Sequence, residues 1–385
     1  MMRHRWASLV CASALLVAAG CGGESSEPTA SPATTSSDTT PPDTAAIPDT
    51  TATPDTTRPD TVPPPSETTP TETTAERALG QVVAPEASAV TELLELERPI
   101  VIAHAGGDFE APHSTMFAFT QAALAGTDVL EMDVMLTADD VLVVHHDDTV
   151  DRTTEASGSV RDLTYDELAA LDNAHWFVEG TWSDRSRPDS DYVFRGVRTG
   201  DRPAPAGYGP DDFRIETFAA VASAFPDHVL DVEIKVQRDE SGTPDLARAQ
   251  RAAQVLADEI VALGRTDSVI VVSFDSTVME EFAERAPGVA TSPALDTLVA
   301  WYLGEPTTFT PTDRVFQVPP VYEGVEVLTP EVVQRAQREG FAVWVWMDDT
   351  GSQENAPFYE ELLARGVDGL LVSRPQVAVA VIEGR

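Results

Sequence analysis

His104 closes the apolar run Ile100–His104 and leads into Ala105-Gly106-Gly107. A histidine at a strand mouth, before a glycine turn, is placed for acid/base work near neutral pH. A second one, His113, falls where the following loop becomes helix. In Val129–Val134 the residues alternate: Leu130, Met132 and Val134 share one face, while Glu131 and Asp133 share the other. Two carboxylates side by side on a strand are either a solvated face or the oxygen ligands of a hard divalent ion. Val229–Val236 repeats the pattern, with Asp231, Glu233 and Lys235 on the face opposite Leu230, Val232, Ile234 and Val236. Glu233 could complete a three-carboxylate set, and Lys235 could hold an anion beside it; a local ion pair is the simpler alternative. A third run, Val141–His146, ends in His145-His146-Asp147. Neighbouring strand residues face opposite ways, so only one of these histidines can serve a site.

These side chains need elements to position them. Strand patterns cover Ile100–His104, Val129–Val134, Val141–His146, Val229–Val236, Val269–Phe274, Val289–Ser292, Val315–Val318, Ala342–Met347 and Gly369–Val372. Helical patterns fall between most of them, among them Ser114–Ala125, Ile215–Ala224, Asp245–Leu263, Ser276–Ala286 and Pro330–Glu339. Strand and helix alternating in this way predict an α/β chain, either a TIM (β/α)8 barrel or a doubly wound sheet. There is one strand more than a barrel's eight. The step from Val129–Val134 to Val141–His146 is too tight for a helix and reads as a hairpin. Between Asn173 and Phe213 the pattern breaks into aromatics, prolines, glycines and charges, an insertion after the third strand that is either a functional lid or decoration.

Composition excludes some partners. The formal net charge is −39, from 64 acidic against 25 basic side chains. Such a surface repels nucleic acid and anionic lipid, so neither is an expected partner. Residues 1–20 read as an export signal: Arg3 and Arg5, an apolar run too short to span a bilayer, then Ala18-Ala19-Gly20 before Cys21. This ending resembles a bacterial lipobox, which implies cleavage before Cys21, lipidation of its thiol, and a protein on the outer face of the cytoplasmic membrane. Cys11 would leave with the signal, so the mature chain would have no disulfide and no zinc-thiolate site. Residues 21–76 form a Thr/Pro/Asp-rich tether with recurring Pro-Asp-Thr and no apolar face to bury. An extended proline-rich chain at ~3.1 Å per residue would reach well over ~100 Å. Residues 77–97 are a lead-in segment, and 98–385 are the barrel domain, with 173–213 inserted.

The phrases "IAHAGG", "LEMDVMLTADDVLVVHHDDTVDRTTEASG", "LTYDELAALDNAHWF", "LDVEIK", "VSFD" and "GVDGLLVSRP" resemble, in this order, the glycerophosphodiester phosphodiesterase family. The likeness runs from Ile100 to Pro375 and implies a TIM barrel. It implies that His104 and His146 are the catalytic histidines, His146 because it precedes Asp147 and stands the usual interval before Arg152-Thr153-Thr154. It implies that Glu131, Asp133 and Glu233 hold Mg2+ or Ca2+, that Lys235 binds phosphate, and that Trp346 lies near the substrate. The implied reaction is metal-dependent hydrolysis of a small glycerophosphodiester to glycerol 3-phosphate and an alcohol. A phospholipase D-like lyase acting on lysophospholipid head groups, and a non-catalytic surface lipoprotein that binds a phosphorylated ligand, are the competing readings.

The chain departs from the family pattern in places. His-Arg-Gly is here His104-Ala105-Gly106, and Pro-Glu-Asn-Thr is Pro112-His113-Ser114-Thr115. Trp-Thr-Val-Asn is Trp346-Met347-Asp348-Asp349, and Thr-Asp-x-Pro is Val372-Ser373-Arg374-Pro375. The arginine missing at 105 bears on substrate choice more than on the chemistry. If it normally neutralises the glutamate missing at 113, their joint loss leaves no charge unpaired. The stretch then reads as a working variant.

Overall fold

The alternating apolar runs pair side by side in parallel, which buries strands such as those at 100–103, 129–136, 229–234 and 369–372 on both faces. The structure, a computed structural model, describes residues 77–239 and 241–385. Its strands are β1 (Ile100–Ala103), β2 (Val129–Leu136), β3 (Leu142–Val144), β4 (Val229–Ile234), β5 (Val269–Val272), β6 (Ala290–Thr291), β7 (Val315–Val318), β8 (Val321–Tyr322), β9 (Val325–Glu326), β10 (Ala342–Trp346) and β11 (Gly369–Val372). Parallel neighbours run in the order β6-β5-β4-β2-β1-β11-β10-β7. The two end strands meet through a parallel bridge from Thr291 to Asp313, with the Thr291 N–H donating to Thr312 at 2.8 Å and the Arg314 N–H to Thr291 at 2.9 Å. The sheet therefore comes close to closing, with helices around it, as a TIM barrel.

The surplus strand is β3. It pairs antiparallel with β2, Val134 against Val144 and Leu136 against Leu142, and lies off the barrel path. β8 and β9 form a separate two-stranded hairpin after β7.

Alternation sorts the side chains of each strand. Leu130, Met132 and Val134 of β2 and Leu230, Val232 and Ile234 of β4 pack outward against helices such as Leu246–Ala262. Val129, Val229, Ile270, Val315, Trp344 and Leu371 point inward and fill the barrel floor. Ala87, Val90 and Leu93 join them, so the lead-in segment plugs the end opposite the site.

The insertion between β3 and β4 holds only short 3-10 turns at Asp189–Asp191 and Pro210–Phe213. It is pinned by aromatic packing of Phe194, Tyr208 and Phe213 on Phe117 of the helix Met116–Leu124, at 4.6 to 4.9 Å between ring centroids. That helix starts with the Thr115 hydroxyl accepting from the Ala118 N–H at 3.1 Å. The β1 turn lies hard against it. A Cβ on Gly106, at φ +81°, would come within 2.9 Å of Ala118 and Phe119, so only glycine fits there.

Candidate active site

The inward faces of β2 and β4 meet in register, Glu131 opposite Asp231 and Asp133 opposite Glu233. Four carboxyl groups thus share the barrel interior toward its C-terminal mouth, where barrels of this kind place their sites. Burial, then Asp133, raises Glu131 well above the usual carboxylate range. Burial does the same to Asp231, aided by Glu233 and Asp133 and opposed by a hydrogen bond from Gln317 at 2.8 Å, and it titrates at about 7. Lys235 follows β4. Its ammonium stands 3.1 Å from Asp133 Oδ1 and 3.1 Å from Glu233 Oε1. Burial opposes ionisation of Asp133, but Lys235 with His146 and His104 together overcomes it and holds that carboxyl low. The lysine expected beside an anion is therefore engaged with the carboxylates.

The two anticipated histidines converge. The His104 and His146 rings are 6.3 Å apart between centroids. His104 Nδ1 lies 3.1 Å from Asp108 Oδ1, and His146 Nδ1 lies 2.7 Å from Asp147 Oδ1. An ionised carboxylate only accepts, so each aspartate keeps hydrogen on Nδ1 and leaves Nε2 for chemistry. Burial works against the proton on His104, but Asp108 and then Glu131 overcome it and lift the ring to about 10. Arg152 grips Asp147 with Nε at 2.6 Å and Nη2 at 3.0 Å. His145 turns the other way and is buried, its Nε2 3.1 Å from the Thr149 carbonyl.

Trp346 ends β10 at the mouth, where its ring meets Phe274 edge-on at 6.3 Å. Cys21, the signal and the tether lie outside the described residues.

Two contributors were not anticipated. Asp108 is one, four residues beyond His104 and brought back by the turn His104–Gly106. Trp182 is another. It comes from the insertion, stacks on His104 at 6.3 Å and 21°, and meets His146 edge-on at 5.1 Å. His113 stands 6.4 Å from His104 and 5.9 Å from His146. Ala105, in place of arginine, has φ 46° and ψ 31°, a left-handed conformation unusual for a residue with a Cβ. Its side chain is fully buried, and its N–H donates to Glu131 Oε2 at 2.7 Å.

Whether the carboxylates suit a metal depends on their donors. Glu131, Asp133 and Glu233 offer only hard oxygens, and Asp133 Oδ2 is buried without a hydrogen-bond partner. That donor chemistry fits Mg2+ or Ca2+. Among the described residues, no three His, Cys, Asp or Glu side chains stand close enough together to hold a metal ion. Lys235 instead neutralises Asp133 and Glu233.

Known proteins resemble this chain in sequence and in fold. A glycerophosphodiester phosphodiesterase from Caldanaerobacter subterraneus is 27% identical over 285 residues, covering 74% of this chain and 98% of its own. A structure described as a phosphodiesterase from Oleispira antarctica, in complex with the product sn-glycerol-3-phosphate, superposes with a TM-score of 0.54 at 18% identity, covering 74% of this chain and 97% of that one. A glycerophosphoryl diester phosphodiesterase structure from Silicibacter pomeroyi superposes with a TM-score of 0.55 at 20% identity, covering 80% and 98%. At such identities the two structures speak for the fold alone. A model of the glycerophosphoryl diester phosphodiesterase family matches residues 104–377, which take in both histidines and every carboxylate described above, and the chain belongs to that family.

Proposed function

We propose that this protein hydrolyses glycerophosphodiesters to glycerol 3-phosphate and an alcohol, with a divalent cation held by Glu131, Asp133 and Glu233. The observation that carries the reading is the pair of histidines, each tied through Nδ1 to its own aspartate, with rings 6.3 Å apart beside the carboxylates. A bound cation would supply charge stabilisation for the phosphate oxygens. The residues supply the proton traffic. His104, which Asp108 keeps protonated, gives a proton to the leaving alcohol oxygen from Nε2. His146 takes one at Nε2 from the attacking water, whose oxygen bonds phosphorus as the bond to the leaving alcohol breaks, and Asp147 with Arg152 fixes the orientation of its ring. Trp182 shields both rings from bulk water.

Membrane attachment through lipid on Cys21 belongs to the same proposal, and the −39 formal charge would keep the domain off anionic lipid.

The test is a panel of diesters (glycerophosphocholine, glycerophosphoethanolamine, glycerophosphoglycerol) given to purified protein with EDTA, then with Mg2+ or Ca2+ restored. Release of glycerol 3-phosphate that EDTA stops is the expected result. No turnover of any diester with either metal would overturn the reading, and a cyclic phosphate end product would point to a lyase.

A further inference from the structure

The site contains polar atoms that none of these roles uses. His113 is 4% exposed, and neither its Nδ1 nor its Nε2 has a hydrogen-bond partner. Its ring stands about equally far from His104, His146 and Trp182, at 6.4, 5.9 and 6.4 Å between centroids. It therefore belongs to the group of rings formed by the acid/base histidines and Trp182. Trp182 adds a second such atom, for its Nε1 is also buried without an acceptor. The indole is not free to swing away. The Arg152 guanidinium lies 4.4 Å over its ring, and Arg152 Nη1 donates to the Trp182 carbonyl at 3.2 Å. Because Arg152 also grips Asp147, one side chain sets both His146 and the tip of the insertion.

A buried donor or acceptor left without a partner is costly and calls for an explanation. Unpartnered nitrogens gathered around two acid/base histidines are explained if the substrate is the partner. We propose that His113 hydrogen-bonds the phosphate of the substrate directly, with the indole N–H of Trp182 as its companion donor. The inference rests on the phosphodiesterase reading above. Burial, then Arg152 and His146, keeps the His113 ring uncharged, so it offers one N–H and one lone pair. Uncharged donors add no extra attraction for a second negative charge. They therefore favour a singly charged diester over the doubly charged monoester that the reaction leaves behind.

The experiment uses His113→Phe and Trp182→Phe, which keep a ring and remove the donor, together with His113→Gln, which keeps a polar group. Wild type and variants are compared for kcat and KM with glycerophosphocholine, and for thermal melting. Removing a hydrogen bond to a charged phosphate should raise KM by roughly 10–100-fold. The change in kcat should be smaller, melting should not be earlier, and His113→Gln should recover part of the loss. A role in packing alone would move melting and leave KM within twofold, which would overturn the proposal. If His113→Phe melts early, Trp182→Phe and His113→Gln decide, and wild-type KM in both overturns it. A wild type that turns over no diester at all would instead overturn the functional reading beneath it.

Discussion

Asp108 Oδ1 sits 3.1 Å from Nδ1 of His104, and its other oxygen, Oδ2, is buried without a partner. The aspartate orients the ring and holds its proton. Asp108→Asn should therefore lower kcat, by up to ~10²–10⁴-fold, with a smaller effect on KM. The pH profile separates this from a general disturbance. A general acid works while protonated, and Asp108 helps hold His104 up at about 10. Without that carboxylate the alkaline limb of the rate profile should move to lower pH. An unmoved limb in an active variant would sink the assignment of His104 as the acid.

Lys235 lies between Asp133 and Glu233, two carboxylates facing each other across β2 and β4. Removing one partner of a buried ion pair costs about 3–5 kcal/mol. Lys235→Met should lower the melting temperature most strongly in EDTA, because a bound cation would take over neutralisation of the pair. Wild type should respond to EDTA less. Equal responses in both proteins would show that lysine and cation do not share the carboxylates.

Those carboxylates were legible because a strand's period is two: Glu131, Asp133, Asp231 and Glu233 all fall on one face in the sequence and on the inward face in the barrel. The same period showed that only one of His145 and His146 could serve, and the family resemblance singled out His146. What could not be read was contact made by chain returning from far away. Trp182 reaches His104 because Phe194, Tyr208 and Phe213 pin the insertion on Phe117 and Arg152 holds the indole in place. Asp108 was overlooked for a nearer reason, since only the left-handed Ala105 and the glycines after it turn the chain enough to bring it back. The engagement of Lys235 with two carboxylates depends on strand pairing, which no single segment displays.

Stability should fall on the acid side because of His228. Burial, only partly offset by Asp227, depresses this histidine from 6.5 to about 4. The unfolded chain then binds more protons than the native one between those values. The contribution of His228 is complete above about pH 6.5 and is lost as pH falls toward 4, on the order of 3 kcal/mol in all. Chemical denaturation at pH 7.5 and pH 5 checks this. His228→Gln should reduce the difference between the two pH values, and a variant that keeps the full wild-type difference would count against it.

Anchoring through Cys21 predicts a simple fractionation result. Wild type expressed in a bacterial host should sediment with membranes and enter the detergent phase. Cys21→Ser should appear in the soluble fraction with its diesterase activity intact. A Cys21→Ser protein still held in the membrane fraction would point to another mode of attachment.

The last prediction concerns the alanine beside His104. Ala105 is fully buried, in the left-handed region, with its N–H on Glu131. An arginine side chain there must displace its neighbours, at ~1–3 kcal/mol for an overpacked site. It would also bring a cation close to a His104 that already holds its proton. Ala105→Arg alone should lower the melting temperature and give no gain in kcat/KM. Ala105→Arg combined with His113→Glu supplies an opposite charge and should recover part of the stability. Melting curves and kinetics on both variants decide the matter. A large gain in activity from Ala105→Arg by itself would show that the alanine is a defect, and that the two positions do not vary as a pair.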